Sequence, residues 1–316
     1  MPTFTDVIDR AGAASLIPTQ YVNDIIQDAV EESAVLRMAK RLPNMTSSML
    51  SMPVLSSLPM AYFVNGDTGL KQTTKAMWDS KIITAEEIAV IVPVPDAVLA
   101  DSQFDIWGQI RPLVRQAFGR VIDAAILYGT NKPASWPQGI VPAAAAVGNQ
   151  KTVTDDGYAD IMGPDGLIAL VENDGYMVNG YIGSMKSRAY LRGIVDHSAQ
   201  PIFRNGMTEA TTYMLDGQRI EFPRNGVAGL QNDLLIGGDW DKLVYAIRQD
   251  MTVTKTNTGV ITDADGKVVY NLYQQDMTAL RFVMRLGWQL PNPVNAINDG
   301  NEDAFPFAVL SEAAPG

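Results

Sequence analysis

The sequence predicts a mixed α+β fold, in which a lobe built around one long helix is interrupted by an inserted lobe of mixed structure. Apolar residues recur three or four positions apart over residues 106–128, which predicts a long helix. Residues 140–240 alternate between helical and strand-like patterns, and the chain after residue 240 is rich in strand-like runs. With 316 residues, the chain is long enough to divide into two lobes.

The composition is that of an ordinary globular protein and narrows the function. The net charge of -11, from 24 basic and 35 acidic residues, argues against a protein that grips nucleic acid by its phosphates. The sequence has no cysteine, which removes disulfides and thiolate chemistry. We expect no secretory signal at the N-terminus, and no apolar run reaches the length of about eighteen residues that a membrane-spanning helix needs.

The first part of the chain is predicted to be an arm. Residues 1–18 have few regularly spaced apolar residues and contain Gly12 and Pro18, so we expect an extended conformation. From Thr19 onward the apolar spacing becomes helical, with acidic residues between, and predicts a short helix. Those apolar positions are Val22, Ile25, Ile26, Val30, Val35 and Leu36.

A protruding hairpin is predicted next. Residues 50–64 and 81–94 are each rich in strand-forming residues, and the polar sequence of residues 65–69 lies between them. The glycines and asparagine of that sequence supply turn conformations, and the excursion has too few apolar residues for a core of its own. We therefore expect two strands whose tip stands out from the body.

The long helix follows a short one. Pro95 starts a helical segment that ends near Asp101, and residues 106–128 form the strongest helical pattern in the chain. Because Pro112 removes one backbone hydrogen bond, we expect a kink or break near residues 108–111. The glycines and prolines of residues 129–139 then predict a sharp crossing into the inserted lobe.

The rest of the chain alternates and then becomes mostly strand. The predicted elements are a helix over residues 160–173 interrupted at Gly163 and Pro164, a strand over 176–182, a helix over 184–195, a hairpin over 215–220, a strand over 234–239, and strands over 243–247, 253–254, 260–261, 268–270 and 278–288, with a turn at 264–267.

The chemical motifs of the chain are weak. Asp196, His197 and Ser198 are the residue types of a hydrolase triad, but neighbours in sequence cannot converge on one proton-transfer line, so an exposed loop histidine is the better interpretation. Asp263 begins a sequence like a calcium loop, yet Gln274 stands where the bidentate acidic ligand belongs, which favours a hairpin turn. No set of acid, base or metal ligands predicts an enzyme.

Four stretches in order carry a resemblance to a known family. They are EEIAVIVPVPDAVLADSQFDIWGQI from Glu86, AAILYGTNKPASWPQGI from Ala124, GGDWDKLVYAIRQDMTV from Gly237 and YQQDMTALRFVMRLGWQLPNP from Tyr273. In this order they resemble the HK97-type major capsid protein of tailed bacteriophages. The resemblance implies a subunit with an N-terminal arm, an extended hairpin called the E-loop, a peripheral (P) domain with a long spine helix, and an inserted axial (A) domain.

Carried over to this chain, the resemblance implies five segments. They are the N-terminal arm at residues 1–45, the E-loop at 46–85, the P domain with its spine helix at 86–138, the A domain at 139–240, and the P-domain sheet with a C-terminal tail at 241–316. The role of residues 294–316 is left open, because they run past the usual end of the family.

The resemblance also implies contacts between subunits. The candidate residues are Asn65, Gly66, Asp67, Lys71, Lys75 and Trp78 in the E-loop, His197, Gln200 and Arg204 in a loop at the A-domain axis, and Arg281 and Arg285 in the P domain. Some relatives cross-link an E-loop lysine to an asparagine of a neighbouring subunit. Lys71 or Lys75 with Asn292 or Asn295 would be the counterpart, but nothing in the loop demands that chemistry and we expect no covalent link.

The function implied is a major capsid protein that assembles with itself into pentamers and hexamers of an icosahedral phage head around double-stranded DNA. Its partners would be further copies of the chain, a portal, and possible scaffolding or cement proteins, with no cofactor and no membrane. Assembly would occur in the host cytoplasm, and the product would be part of the virion. The alternatives are an encapsulin-like shell that stores cargo protein and a mixed-fold carbohydrate- or metal-dependent enzyme.

Overall fold

The computed structural model describes residues 33–59, 61, 73–101, 106–154, 156–195, 214–299, 301 and 303–312. These residues form helices, two larger β-sheets and two β-hairpins, so the α+β class predicted from the sequence agrees with the structure. The predicted extended arm and the part of the predicted arm helix before residue 33 lie outside the described residues.

The described helices, numbered in chain order, are α1 (Ala34–Met38), α2 (Asp96–Asp101), α3 (Ile106–Tyr128), α4 (Ile140–Val147), α5 (Gly157–Met162), α6 (Leu167–Asn173) and α7 (Met185–Gly193), with a 3-10 turn at Trp240–Lys242. None of the helices in these described ranges combines the length and apolarity that crossing a membrane requires.

The described strands are β1 (Lys40–Arg41), β2 (Met49–Ser57), β3 (Met77–Thr84), β4 (Glu86–Pro95), β5 (Gln150–Thr152), β6 (Gly180–Gly183), β7 (Met214–Leu215), β8 (Gln218–Glu221), β9 (Asp233–Gly238), β10 (Val244–Thr256), β11 (Val260–Thr262), β12 (Val268–Asn271), β13 (Met277–Gln289) and β14 (Phe307–Ser311). The predicted strands at 243–247 and 253–254 are one continuous strand, β10, whose pairing with β13 shifts register twice between Ile247 and Thr252.

A four-stranded sheet in the order β1-β10-β13-β4 forms the first half of the body. Its long strands β10 and β13 run antiparallel, and β4 pairs with the other edge of β13. Phe282 and Leu286 of β13 are buried in the same hydrophobic cluster as Phe118 and Ile122 of α3. The apolar stripe of the long helix therefore packs on this sheet, as its periodicity predicts.

The helix α3 is continuous through Pro112, so of the kink or break predicted near residues 108–111, the break is wrong and the kink stays a prediction. Pro112 is exposed and is the seventh residue of the helix. A proline there removes only one backbone donor, and the helix still buries Phe118 and Ile122 against the sheet. Tertiary packing of the stripe outweighs the local cost of the proline.

A six-stranded sheet in the order β5-β14-β9-β6-β8-β7 forms the second half. Its strand β9 is buried along its whole length, and α6 packs against both β9 and β14. The C-terminal strand β14 lies between β5 and β9, inside this sheet. This departs from the expected grouping of residues 241–316 with the other sheet, because the chain returns to the inserted elements at its end.

The predicted hairpin is present as β2 and β3, but its second strand differs from the prediction. Residues 81–94 are not one strand, because Ala85 separates β3 from β4 and the two strands belong to different sheets. The Ala85 side chain is buried, and its N–H donates to the Ser48 carbonyl oxygen at 2.9 Å. The chain therefore turns at Ala85 from the hairpin into the body.

The remaining predictions are largely confirmed. The predicted helix over residues 160–173 is divided into α5 and α6, and α7 begins after Ser184, whose side chain caps it. The predicted strand over 176–182 is shorter, since only Gly180–Gly183 pairs in the sheet. The Asp263 carboxylate accepts hydrogen bonds from the N–H groups of Asp265 and Lys267, which confirms a hairpin turn there.

Candidate functional site

The hairpin of β2 and β3 exposes an apolar face. Residues paired across the two strands lie on the same face of the hairpin. On one face, Leu55 is opposite Trp78 and Ser51 is opposite Ile82. The Trp78 side chain is 65% exposed, and Ile82 and Met49 on the same face are also exposed. Exposed patches of large apolar side chains are typical of interaction surfaces, which makes this face a candidate functional site.

The opposite face of the hairpin is partly buried on the body. Ile83 is fully buried in a small cluster with Val244 and Ala246, and Leu50 and Met52 pack against that cluster. One face of the ribbon is therefore held by the subunit's own sheet, and this arrangement leaves the Trp78 face turned away from it.

The base of the hairpin is braced by the segment that joins α3 to α4. The Trp136 indole donates a hydrogen bond of 3.2 Å to the Thr84 carbonyl oxygen, and Ser135 Oγ donates to Glu86 Oε1 at 2.5 Å. A side chain at Gly287 of β13 would lie 2.4 Å from that same carbonyl oxygen, so only glycine lets β13 approach so closely. The direction in which the hairpin leaves the body is therefore fixed by three contacts at one point.

A groove of about 720 Å³ lies along the outer face of α3. Its lining is formed by Leu113, Gln116, Ala117, Arg120, Val121, Ala124, Thr130, Asn131, Asn225, Val227 and Leu230. Leu113 and Leu230 are exposed, and Val121 is 48% exposed. The helix thus has a second apolar stripe, in addition to the one that packs on the sheet.

A buried carboxylate joins the start of α1 to α3. Asp123 accepts hydrogen bonds from Ser33 Oγ at 2.5 Å, from the Ala34 N–H at 3.1 Å and from Asn225 Nδ2 at 2.7 Å. Burial raises the pKa of Asp123 from 3.8 to about 6, although these hydrogen bonds lower it in part. Asp123 therefore joins the start of α1 and Asn225, which lines the groove, to the same turn of α3.

A second buried carboxylate joins the end of α3 to the six-stranded sheet. The Tyr128 hydroxyl donates to Asp233 Oδ2 at 2.7 Å, and the Gly229 N–H donates to the same carboxylate oxygen at 3.1 Å. Burial, with the adjacent Asp233 charge, raises the pKa of Tyr128 far above its usual value. The last residue of α3 is thereby fixed to the first residue of β9.

Only some of the predicted contact residues can be located. Trp78 lies on β3 and Lys75 lies just before that strand begins, and both are exposed. Arg281 and Arg285 lie on β13, where Arg281 is exposed and Arg285 is half-buried. Trp78 and the two arginines therefore belong to different sheets. The others lie outside the described residues: Asn65, Gly66, Asp67, Lys71, His197, Gln200 and Arg204.

Several surface residues were missed by the sequence analysis. Leu113 and Val121 belong to the apolar pattern that predicts α3, and that pattern does not separate them from the buried residues of the helix. In the structure both are exposed and line the groove. Met49 and Ile82 carry no motif, and the pairing register is needed to place them beside Trp78. The sequence of β3, MWDSKIIT, does not alternate strictly between apolar and polar residues, so it gives no clear signal for an apolar face.

Comparison with known proteins relates this arrangement to viral shells. Residues 13–299 match the phage capsid family. A major capsid protein of Staphylococcus phage 80alpha is 29% identical over 273 residues, which cover 84% of this chain and 79% of that protein. This match confirms the resemblance to phage major capsid proteins that the order of elements predicts.

Solved structures agree with the sequence match. A chain from Microbacterium phage Oxtober96 is 36% identical with a TM-score of 0.76, and the alignment covers 98% of this chain and all 100% of that chain. A chain from Mycobacterium phage Cain is 27% identical with a TM-score of 0.77 and the same coverage. The protein therefore belongs to the phage capsid family.

Proposed function

We propose that this chain is the repeating subunit of an icosahedral phage head, in which copies form pentamers and hexamers around double-stranded DNA. The phage capsid family is a family of structural proteins, not of enzymes. The observation that carries the proposal is the exposed apolar hairpin face of Met49, Trp78 and Ile82, combined with the exposed groove along α3. A subunit that bears both surfaces can bind a neighbour and be bound by one.

The hairpin face and the groove suit one another in chemistry. Both present large apolar side chains that are about half exposed, such as Trp78 and Val121. Burying such a side chain fully contributes roughly 1.5–3 kcal/mol, so each half-exposed one contributes roughly half as much. Because the two surfaces are different patches, their contact is heterologous and repeats around a ring.

The proposed assembly uses the segments named above. Residues 46–85 act as the E-loop, 86–138 as the P domain with α3 as spine helix, and 139–240 as the A domain. The strand β14, which pairs with β5 and β9, extends the A domain to the end of the chain. Residues 1–45 act as an arm that extends beyond the anchor at Asp123 to a neighbouring subunit.

Other predicted residues have roles at further contacts. We place His197, Gln200 and Arg204 at the capsomer axis and Asn65, Gly66, Asp67, Lys71 and Lys75 near the tip of the E-loop. Arg281 and Arg285 of β13 face contacts between P domains. Loops presented by a rigid sheet are common places for such contacts.

The charge of the chain fits enclosure of DNA without tight binding. A net charge of -11 gives little attraction for phosphates, so packaged DNA can slide along the shell. A portal, and scaffolding or cement proteins, are the expected partners of such a head. The shell is assembled in the host cytoplasm and becomes part of the virion.

Electron microscopy of the expressed full-length protein tests the proposal. Closed particles with fivefold and sixfold capsomers, and in infected cells with nuclease-resistant DNA, are the expected result. Particles that hold protein cargo and no DNA would favour the storage shell instead. A small discrete oligomer at high protein concentration would refute the proposal.

A further inference from the structure

The C-terminal strand β14 occupies a slot between two strands that are distant from it in sequence. It pairs in parallel with β5, where Val309 is opposite Gln150, and antiparallel with β9, where Phe307 is opposite Gly238. All five residues of β14 are buried, with at most 5% of any of them exposed. Within the described residues, β5 has β14 as its one strand partner.

The two faces of β14 complete two different hydrophobic clusters. Phe307 and Val309 belong to the cluster that contains α3, and the Phe307 ring lies 4.9 Å from the Trp240 ring between centroids. Ala308 and Leu310 belong to the cluster of the inserted elements, which includes α5 and α6. Alternate side chains of β14 thus enter two different clusters, so neither cluster is complete until the strand inserts.

Polar groups hold the strand at its start. The Phe305 N–H donates to Asp174 Oδ2 at 3.0 Å, and Asn149 Nδ2 donates to the same oxygen at 2.7 Å. The Asn149 carbonyl oxygen accepts from the Val309 N–H at 2.9 Å. Asn149 and Asp174 lie on elements outside β14, so these acceptors belong to the slot and not to the strand.

The slot is also shaped to admit the strand. A side chain at Gly238 of β9 would lie 2.3 Å from Phe307 and 2.4 Å from the Pro306 carbonyl oxygen. Only glycine permits this approach. Gly238, which has no side chain, therefore provides the space that the Phe307 ring occupies.

We infer that the slot between β5 and β9 is a binding site for an extended strand, which residues 303–312 enter last and whose occupation makes the subunit competent to assemble. The inference rests on the proposed function for its last clause. Because β14 follows every other described element in the sequence, it leaves the ribosome after them. Until it inserts, β9 has an unpaired apolar edge, and both clusters are incomplete. A subunit can therefore present a finished inserted lobe only after β14 has been made.

A full-length Leu310→Asp variant tests the inference, because it places a charge in a fully buried position of β14. The probe is a synthetic peptide with the sequence of residues 303–316. Ile297→Asp introduces the same charge at a side chain that is 71% exposed and serves as the control. Hydrogen exchange of the β9 amides reports the slot, and electron microscopy reports assembly.

The expected result is that Leu310→Asp loses exchange protection in β9 and forms no particles, whereas Ile297→Asp behaves like the unsubstituted chain. The peptide should bind Leu310→Asp and restore both properties, and a peptide carrying the same Leu310→Asp change should not. Protected β9 amides in the variant without peptide, or failure of the peptide to restore protection, would overturn the inference.

Two further readouts keep the outcome decisive. In refolding of the unsubstituted chain, pulse-labelled β14 amides should gain protection after those of β10 and β13, and simultaneous protection would contradict late insertion. If the peptide restores β9 protection but the unsubstituted chain itself forms no particles, the strand-binding site stands and the proposed shell function fails.

Discussion

The indole Nε1 of Trp136 donates a hydrogen bond of 3.2 Å to the carbonyl oxygen of Thr84, which is the last residue of the hairpin strand β3. Trp136 is buried and also meets Trp288 edge to face, with 6.4 Å between ring centroids. The segment between α3 and α4 therefore supports the point where the hairpin leaves the body. A movement of the inserted elements relative to α3 would therefore be transmitted to the hairpin through the hydrogen bond between Trp136 and Thr84.

Replacing Trp136 with phenylalanine tests this support. The ring keeps most of the apolar packing, but the Thr84 carbonyl loses its donor, so we expect the free energy of unfolding to fall by about 1–3 kcal/mol. Amide exchange near Ala85 should increase at the same time. Gln138→Ala, at an exposed position two residues further along, should change the free energy by less than about 0.5 kcal/mol. Equal unfolding free energies of Trp136→Phe and the unsubstituted chain would show that this hydrogen bond does not stabilise the fold.

The buried carboxylate of Asp123 predicts a specific pH dependence. Its pKa is raised from 3.8 to about 6 by burial, so the folded state binds the proton more tightly than the unfolded state does. Its contribution to stability is full below about pH 4 and is lost as the pH rises through about 6. Between pH 5 and pH 7.5 this loss corresponds to about 1.4 kcal/mol.

Comparison with Asp123→Asn isolates that contribution. The other carboxyl groups titrate in both proteins. The unfolding free energy of the unsubstituted chain minus that of Asp123→Asn should therefore fall by about 1.4 kcal/mol from pH 5 to pH 7.5. Urea unfolding at the two pH values measures it. A difference that stays constant with pH would mean that the pKa of Asp123 is not raised.

Much of the body could be predicted from the sequence because its signals are local. The spacing of Phe118 and Ile122 predicts the buried face of α3, and Ser184 predicts the start of α7. The glycine at position 129 has a φ of 70° and ends the helix as its residue type indicates. Each of these features depends on a few neighbouring residues.

The surfaces that we propose for assembly could not be predicted in the same way. Leu113 and Phe118 are both apolar residues of one helix, and only the packed sheet decides that Phe118 is buried and Leu113 is exposed. The position of Phe307 in the inserted sheet depends on pairing with Gly238, about seventy residues earlier in the chain. Long-range pairing leaves no local pattern for a single sequence to reveal.

The exposed hairpin face should be required for assembly but not for folding. Trp78→Ser removes a side chain that is 65% exposed, so we expect the unfolding free energy of the subunit to change by less than about 0.5 kcal/mol. The assembled fraction, measured by size-exclusion chromatography, should fall sharply. Asp79→Ser changes the next residue, which is exposed on the opposite face, and should assemble normally. Equal assembly of both variants would exclude the hairpin face as a contact.

The groove on α3 should be the partner of that face. Val121→Asp places a charge among the apolar groove residues, where a docked hairpin would have to bury it without a partner. Because Val121 is 48% exposed in the subunit, the variant should fold normally and fail to assemble. Val121→Thr, which keeps the shape of the side chain, should assemble more weakly than the unsubstituted chain but far better than the aspartate variant.

Mixing the two defective variants gives the sharpest test of a heterologous contact. Trp78→Ser has an intact groove and Val121→Asp has an intact hairpin, so the mixture can form one productive contact per pair but cannot close a ring. We expect each variant alone to remain unassembled and the mixture to form discrete heterodimers, which native mass spectrometry resolves by their mass difference. If the hairpin bound elsewhere, for example on β13, Val121→Asp would assemble alone and the mixture would give no such pairs.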